Sequence, residues 1–596
     1  MSQAAVQQED RPPDTPSPRR RAAPIAGVMG LTAVLLGYAI LKLYGFGPSL
    51  SDENIYYYMA RATAERGLVP YRDYFFAHPP MHLVPLIIVA RIFPHSYTAL
   101  QAVPMIAGGV AAAFLFLLAY RTWGALAATL TAGLFLFSFQ VLSDTSRDTG
   151  VDIAVPLIAV ALYFALTERE SWGGILFGLA GLAGIYALAG AAAVALVLAL
   201  GGWRRVRRFA IGLACTWIGG NLAAWAIGGG AYWRDVYLFA MRIPGGRFGL
   251  SFRDTAMMVT VHNYTVVWAA AMGVGLWMWH EVSGWNARRR DAYAHGRRQQ
   301  SREIPAGEQR PWWRALSEEP SHRVMAGALA YVVATFLFFS ARGNLAQYYF
   351  MLPFPGLALL GGRGGAQFIA ILATAFPAHR EGEAAGGPAS RTAAVVAIAL
   401  LVVGVGVRFW LGATATVRSN LDDPPKTHVW SDAPLIGPVN DLVRAVFWRD
   451  TTQPGRVYSA VQEYLWRRSY HFDTGREIAD HVRRHTHANE TIFGDMLLAP
   501  LVALLADRRI AGDVADTNEV RFETGMYTVE ECWQAIDRDR AVYIILPRKV
   551  SLADIPGFLD RLAAEFEFER SFRDPVYGEI GLFRRAREPT SPRRDK

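Results

Sequence analysis

The chain has 596 residues, a formal charge of +9, 52% apolar residues and a mean hydropathy of +0.17. Few soluble proteins of this size are so apolar, and the composition points to an α-helical polytopic membrane protein. Its two cysteines, Cys215 and Cys532, exclude a disulfide framework and a thiolate metal cage. The surplus charge is arginine clustered beside apolar runs, which the positive-inside bias explains; nucleic acid would need a continuous basic surface.

In chain order, residues 1–22 are polar and proline-rich and read as a disordered cytoplasmic tail. Apolar runs long enough to span follow at 23–45, 98–120, 124–142, 151–167, 172–187, 188–203, 209–228, 257–280, 323–340, 345–362 and 392–413, about eleven transmembrane helices. With the amino terminus inside, "WRRVRR", "NARRRDAYAHGRRQQSREIP" and "AHREGEAAGGPASR" face the cytoplasm, carrying four, six and two arginines. The loop at 46–97, the short loop at 143–150 and the loop at 231–256 then share the opposite, external face. Residues 414–454 read as a linker, 455–586 as an external α/β domain and 587–596 as a disordered tail. In that domain "ETIFGD" and "AVYIILP" are expected as buried strands, "DTGREIADHVRRH" and "LADIPGFLDRLAAEF" as amphipathic helices, and "FERSFRDPVYGEIGLFRR" as a hairpin. No internal repeat, phosphate-binding loop or dinucleotide fingerprint is present, which argues against a primary pump or a cofactor enzyme.

The first loop carries most of the chemistry. "SDENIYYYMARATAERG" reads as a capped amphipathic helix at the membrane interface that ends at Gly67, with Asp52 and Glu53 in its first turn. The helix dipole favours the ionised form of both, and an ionised carboxylate accepts a proton from a hydroxyl or holds a divalent ion. The alternative reading is a plain helix start, and Tyr56, Tyr57 and Tyr58 fit an interfacial aromatic belt better than a sugar platform. The Pro79–Pro80 pair turns the chain sharply and is expected to point Asp73 and His78 back into the loop.

Asp52-Glu53, "GLVPYRD" (67–73) and "YFFAHPP" (74–80), in that order, resemble the first external loop of the C-type membrane glycosyltransferases, in the protein O-mannosyltransferase and aminoarabinose-transferase-like group. "SRDTGVDIAVPLIAVALYF" (146–164) is similar to the second external loop of that family, with Arg147, Asp148 and Asp152 matching in kind. "GNLAQYYFMLPFPGLALL" (343–360) is similar to its late span, with Gln347 where a histidine is frequent. The resemblance covers about 20–413. It implies an inverting transfer of a monosaccharide from a polyprenyl-phosphate donor to an acceptor hydroxyl outside the inner or plasma membrane. It makes Asp52 the general base, Glu53 its substitute and Asp148 a second acidic group that orients the acceptor or a metal. Arg147, or Arg242, Arg247 and Arg253 of the 231–256 loop, would hold the departing phosphate. The expected substrate contacts are Tyr57, Asp73, His78, Gln347 and Tyr348. A divalent metal ion is the one cofactor the residue types admit, with His78 and His262, and also His82 and Glu53, as its ligands.

Two rival readings stand beside this one. A transporter or lipid flippase would place ionisable residues at mid-span, whereas the charges here gather at one face. A non-catalytic component of a cell-envelope polysaccharide assembly would use the outer domain for partner binding. The sugar, the glycan, lipid or protein acceptor and the prenyl chain length carry no signature.

Overall fold

The computed structural model describes residues 18–44, 46–243, 263–298, 319–342, 347–375, 472–547, 552–574 and 578–586, with isolated positions between them. Arg247, Arg253, His262, the linker at 414–454 and nearly all of the expected span at 392–413 lie outside the described residues.

The membrane part is a helical bundle. Its elements are α1 (Pro18–Tyr44), α2 (Glu53–Arg66), α3 (Val84–Ile92), α4 (Tyr97–Trp123), α5 (Ala125–Leu136), α6 (Phe139–Asp144), α7 (Val151–Leu166), α8 (Glu170–Ala183), α9 (Ala187–Leu200), α10 (Trp203–Gly228), α11 (Tyr264–Arg298), α12 (Pro320–Arg342) and α13 (Phe354–Ala375). Among the described residues five stretches are long and apolar enough to cross a membrane: Pro24–Leu43, Tyr97–Trp123, Trp203–Gly228, Pro320–Ala341 and Tyr348–Ala373. Shorter apolar helices fill in between them, among them α5, α7 and α9. The protein is therefore a multi-pass membrane protein, although the described helices do not reproduce eleven full spans. α1 turns Val28, Met29, Leu36, Ile40 and Leu43 outward, and α10 does the same with Ile218, Leu222 and Trp225, as lipid-facing helices do.

Inside the bundle, small residues let backbones touch. A Cβ on Gly174 of α8 would lie 2.0 Å from the Phe209 carbonyl of α10, and one on Gly273 of α11 would lie 2.1 Å from the Leu360 carbonyl of α13. Two expectations change. The run at 124–142 breaks after Leu136, where the Ser138 hydroxyl donates to the Phe135 carbonyl and the chain restarts as α6. The loop at 46–97 holds two helices: α2, and the apolar α3 that the double proline introduces.

The carboxy-terminal unit consists of α14 (Asp473–His485), β1 (Thr491–Gly494), α15 (Ala499–Ala506), β2 (Arg509–Ile510), α16 (Val529–Arg538), β3 (Tyr543–Pro547), α17 (Phe558–Glu565), β4 (Phe566–Asp574) and β5 (Gly578–Arg585). Its five strands lie in the order β2-β1-β3-β5-β4; β1 is parallel to both neighbours, and β5 is antiparallel to β3 and β4. The expected strands are β1 and β3, buried along their whole length, and the expected hairpin is β4–β5. The unit is a small α/β domain.

This domain is fastened to α2. Tyr58 donates to Asp513 at 2.7 Å and accepts from the Ile510 amide at 2.8 Å. Arg66 grips both oxygens of Asp513 at 2.8 and 2.5 Å, and Arg61 pairs with Asp507. α2 is thus packed between bundle and domain, with Ile55, Tyr57, Tyr58, Met59 and Ala62 buried, and does not lie exposed at an interface. Tyr57 and Tyr58 are core residues and not an aromatic belt.

Candidate active site

Asp52 stands at the head of α2, partly buried, and its carboxylate makes no cap bond and has no hydrogen-bond partner among the described residues. Ser51 does not cap the helix; its hydroxyl donates to Glu53, as does that of Ser49. Glu53 is fully buried with one serine on each oxygen. Of the acidic pair, Asp52 is the one open to a substrate. The helix dipole is not the dominant influence on it: burial pushes its carboxyl up to about 6, Glu53 and Asp516 add to the rise, and Arg147 opposes it.

Beneath Asp52 the second loop meets the double-proline turn. His82 Nε2 lies 2.7 Å from Asp148 Oδ1, the Gly150 amide donates to the same oxygen at 3.0 Å, and neither side chain is exposed. Burial drives Asp148 up to about 8 and His82 well down, which favours the neutral form of each. Asp148 Oδ2 and His82 Nδ1 are buried without partners among the described residues. Gly150 makes the pair possible: at φ +78° it admits the turn, and a Cβ there would lie 2.7 Å from His82 Nδ1.

Around this pair sits a ring of aromatic groups. The Tyr56 hydroxyl and His78 Nε2 are 2.9 Å apart, and the Tyr56 ring lies 4.3 Å from that of His82. The double proline therefore does fold His78 inward. Tyr348, in the short helix that precedes α13, is close enough to Tyr56 and Asp52 to feel both electrostatically. Arg147 reaches Ser143 Oγ at 3.4 Å and Asp144 at 3.6 Å, keeps its Nε buried and unpartnered, and acts on Asp52.

The roof comes from the α/β domain expected on the external face, and the two residues it contributes, Asp516 and Asp495, are ones that no reading of the sequence singled out. Asp516 and Asp495 both approach Asp52. Asp495 follows β1, at the carboxyl end of a parallel strand, where ligand-facing groups collect in such sheets. Burial pushes it up to about 6, and its partly buried position also raises Asp516. The strand reading of "ETIFGD" was the one signal that could have flagged Asp495; the loop around Asp516 carries none.

Comparisons with known proteins agree with this geometry at the level of fold. The chain superposes on the crystal structure of ArnT from Cupriavidus metallidurans in the apo state with a TM-score of 0.51, at 16% identity over 93% of this chain and 97% of that one. The structure of the same protein bound to undecaprenyl phosphate gives 0.50 at 15% identity, with the same coverage. The fold is that of the C-type membrane glycosyltransferases. No protein-family model and no curated protein sequence matches the chain.

Within this C-type fold the remaining expected residues are placed as follows. Tyr57 is fully buried against Tyr97, its ring centre 5.6 Å away, and turns no face to the open side of the site. Asp73 does not fold inward with His78: it pairs with Arg72 at 3.0 Å and lines an outer cleft. Arg242 reaches the Met526 sulfur of the α/β domain at 3.8 Å. Gln347 opens the short helix Gln347–Met351. Of the expected metal donors, His78 Nε2 is engaged by Tyr56, His82 Nε2 by Asp148 and both Glu53 oxygens by serines. Among the described residues no three His, Cys, Asp or Glu side chains form a metal-holding group.

Proposed function

We propose that the protein is an inverting glycosyltransferase that moves a monosaccharide from a polyprenyl-phosphate donor to an acceptor hydroxyl on the extracytoplasmic face of the membrane. The observation that carries this reading is Asp52: an unpartnered carboxylate with a near-neutral proton affinity, beside a cation, where two loops and the α/β domain meet. The C-type fold, and the undecaprenyl phosphate held by ArnT in one of its structures, support a lipid-phosphate donor.

Asp52 takes the proton of the acceptor hydroxyl as its oxygen attacks the anomeric carbon. The bond from that carbon to the phosphate oxygen breaks on the opposite side, and the electron pair leaves with the polyprenyl phosphate. Arg147, with its buried unpartnered Nε, steadies the charge that develops there. The buried His82–Asp148 pair fixes the second loop beneath the reacting atoms, and Tyr56, His78 and Tyr348 form the wall against which the sugar packs. Direct displacement gives inverted configuration. Proton NMR of the product's anomeric coupling tests this; retention would exclude a single displacement.

A further inference from the structure

An open cleft of about 240 Å³ runs between the first loop at Tyr71–Phe75, Arg234 and the α/β domain. At its wall stands Arg521, only 5% exposed, with its guanidinium 4.1 Å from the ring centre of Phe75 and 4.5 Å from that of Tyr527. One nitrogen donates to the Asp516 carbonyl, but Nε is buried without a partner, and among the described residues no carboxylate comes within ion-pairing distance. The Tyr527 hydroxyl beside it is buried and unpartnered too. The other acidic groups of the wall are occupied: Asp73 by Arg72, Asp513 by Arg66 and Glu531 by the Thr528 cap. Asp516 and Asp235 act on Arg521 only from beyond ion-pairing distance, so a cation already desolvated and stacked keeps donors free for an anion that arrives from outside. Aromatic rings along the same wall suit the apolar face of a sugar ring, and the volume suits a single sugar unit. Asp516 belongs to this wall and also raises the proton affinity of Asp52, so the cleft and the base share one carboxylate's field.

We propose that this cleft seats the acceptor, a saccharide bearing a phosphate or carboxylate that Arg521 and Tyr527 hold while its hydroxyl reaches Asp52. The proposal rests on the glycosyltransferase reading and adds the acceptor class to it.

The test is calorimetric titration of the full chain in lipid nanodiscs with glucose 6-phosphate, glucuronate, glucose, inorganic phosphate and an acidic peptide, with undecaprenyl phosphate titrated in parallel. Glucose 6-phosphate or glucuronate is expected to bind at least ten-fold more tightly than glucose and than inorganic phosphate, and which of the two leads tells phosphate from carboxylate. Arg521→Gln should erase the preference, and Arg521→Lys, which keeps the charge but loses the flat stack, should weaken it. Equal binding of charged and neutral sugars, tighter binding of the acidic peptide, or inorganic phosphate binding as tightly as the sugar phosphate would each overturn the cleft assignment. If Arg521→Gln does not fold, the wild-type preference and Arg521→Lys still decide. Failure to bind undecaprenyl phosphate counts against the glycosyltransferase reading itself, whereas its binding without an anionic preference removes the cleft proposal alone.

Discussion

His82 on the double-proline turn and Asp148 in the second loop meet at 2.7 Å with no solvent at either side chain. The contact joins two loops that the sequence separates by an entire pair of apolar runs, and Gly150 leaves the room for it. Gly150→Ala should therefore displace the His82 ring as well as strain a backbone at φ +78°. A loss of about 1–3 kcal/mol in stability and at least ten-fold in transfer rate is expected. Gly67→Ala is the matched control: φ is +71°, but nothing lies within 4 Å of the added Cβ, so it should cost only backbone strain and leave transfer intact. Thermal unfolding and rate assays on both variants measure the difference.

Asp52 has to be ionised to accept a proton, and its carboxyl is raised to about 6. Transfer should therefore be constant above that value and fall about ten-fold per pH unit below it, in a kcat/KM profile. The neighbours shift the inflection in opposite senses. Asp516→Asn removes a charge that raises Asp52 and should move the inflection to lower pH; Arg147→Gln removes one that lowers it and should move it higher.

The same rise has a consequence for folding. The folded chain binds the Asp52 proton more tightly than the unfolded one, whose ordinary value is 3.8. The stabilisation is complete below that value and is lost as pH rises through about 6. Asp52→Asn, neutral at every pH, should unfold no more easily than the wild type at pH 7. Chemical denaturation at pH 5 and pH 7 checks the sign.

Asp513 receives Tyr58 and both arms of Arg66, and it holds the α/β domain over Asp52. Asp513→Ala leaves these donors without an acceptor and should weaken the docking by about 1–3 kcal/mol, given the partial exposure of the pair. Hydrogen exchange should then accelerate along α2 and at the Ile510 amide, with transfer slowed. Asp513→Asn, which still accepts from Tyr58, should be milder.

Arg147, Arg242, Arg247 and Arg253 were the candidates for the lipid phosphate on sequence grounds, and of these Arg147 is the one that acts on Asp52. Arg147→Gln should weaken undecaprenyl-phosphate binding about ten-fold, in line with one charge-assisted hydrogen bond. Arg242, which touches Met526, should be replaceable by Gln without change in that affinity.

Much of this arrangement was legible in the chain because it is written locally. The apolar runs gave the bundle, the double proline gave the inward turn of His78, and the alternation of strand and amphipathic helix gave the α/β domain. What stayed hidden depends on contacts with no local trace. 455 residues separate Tyr58 from Asp513, and nothing near either signals the other. Asp73 looked like a partner of His78 because both lie in one short segment, yet the adjacent Arg72 claims it and turns it outward. Glu53 looked interchangeable with Asp52 until two serine hydroxyls were found to occupy it. Asp495 and Asp516 come from the far end of the chain and reach Asp52 only through the docking of that domain.

The most direct measurement incubates the purified full-length chain and its Asp52→Asn variant with a panel of undecaprenyl-phosphate monosaccharides and membrane extract, and follows release of undecaprenyl phosphate. The wild type should consume one member of the panel with inversion at the anomeric carbon, while the variant, folded and still binding the lipid, should release less than about one hundredth as much. Equal release by the two would show that Asp52 is not the base.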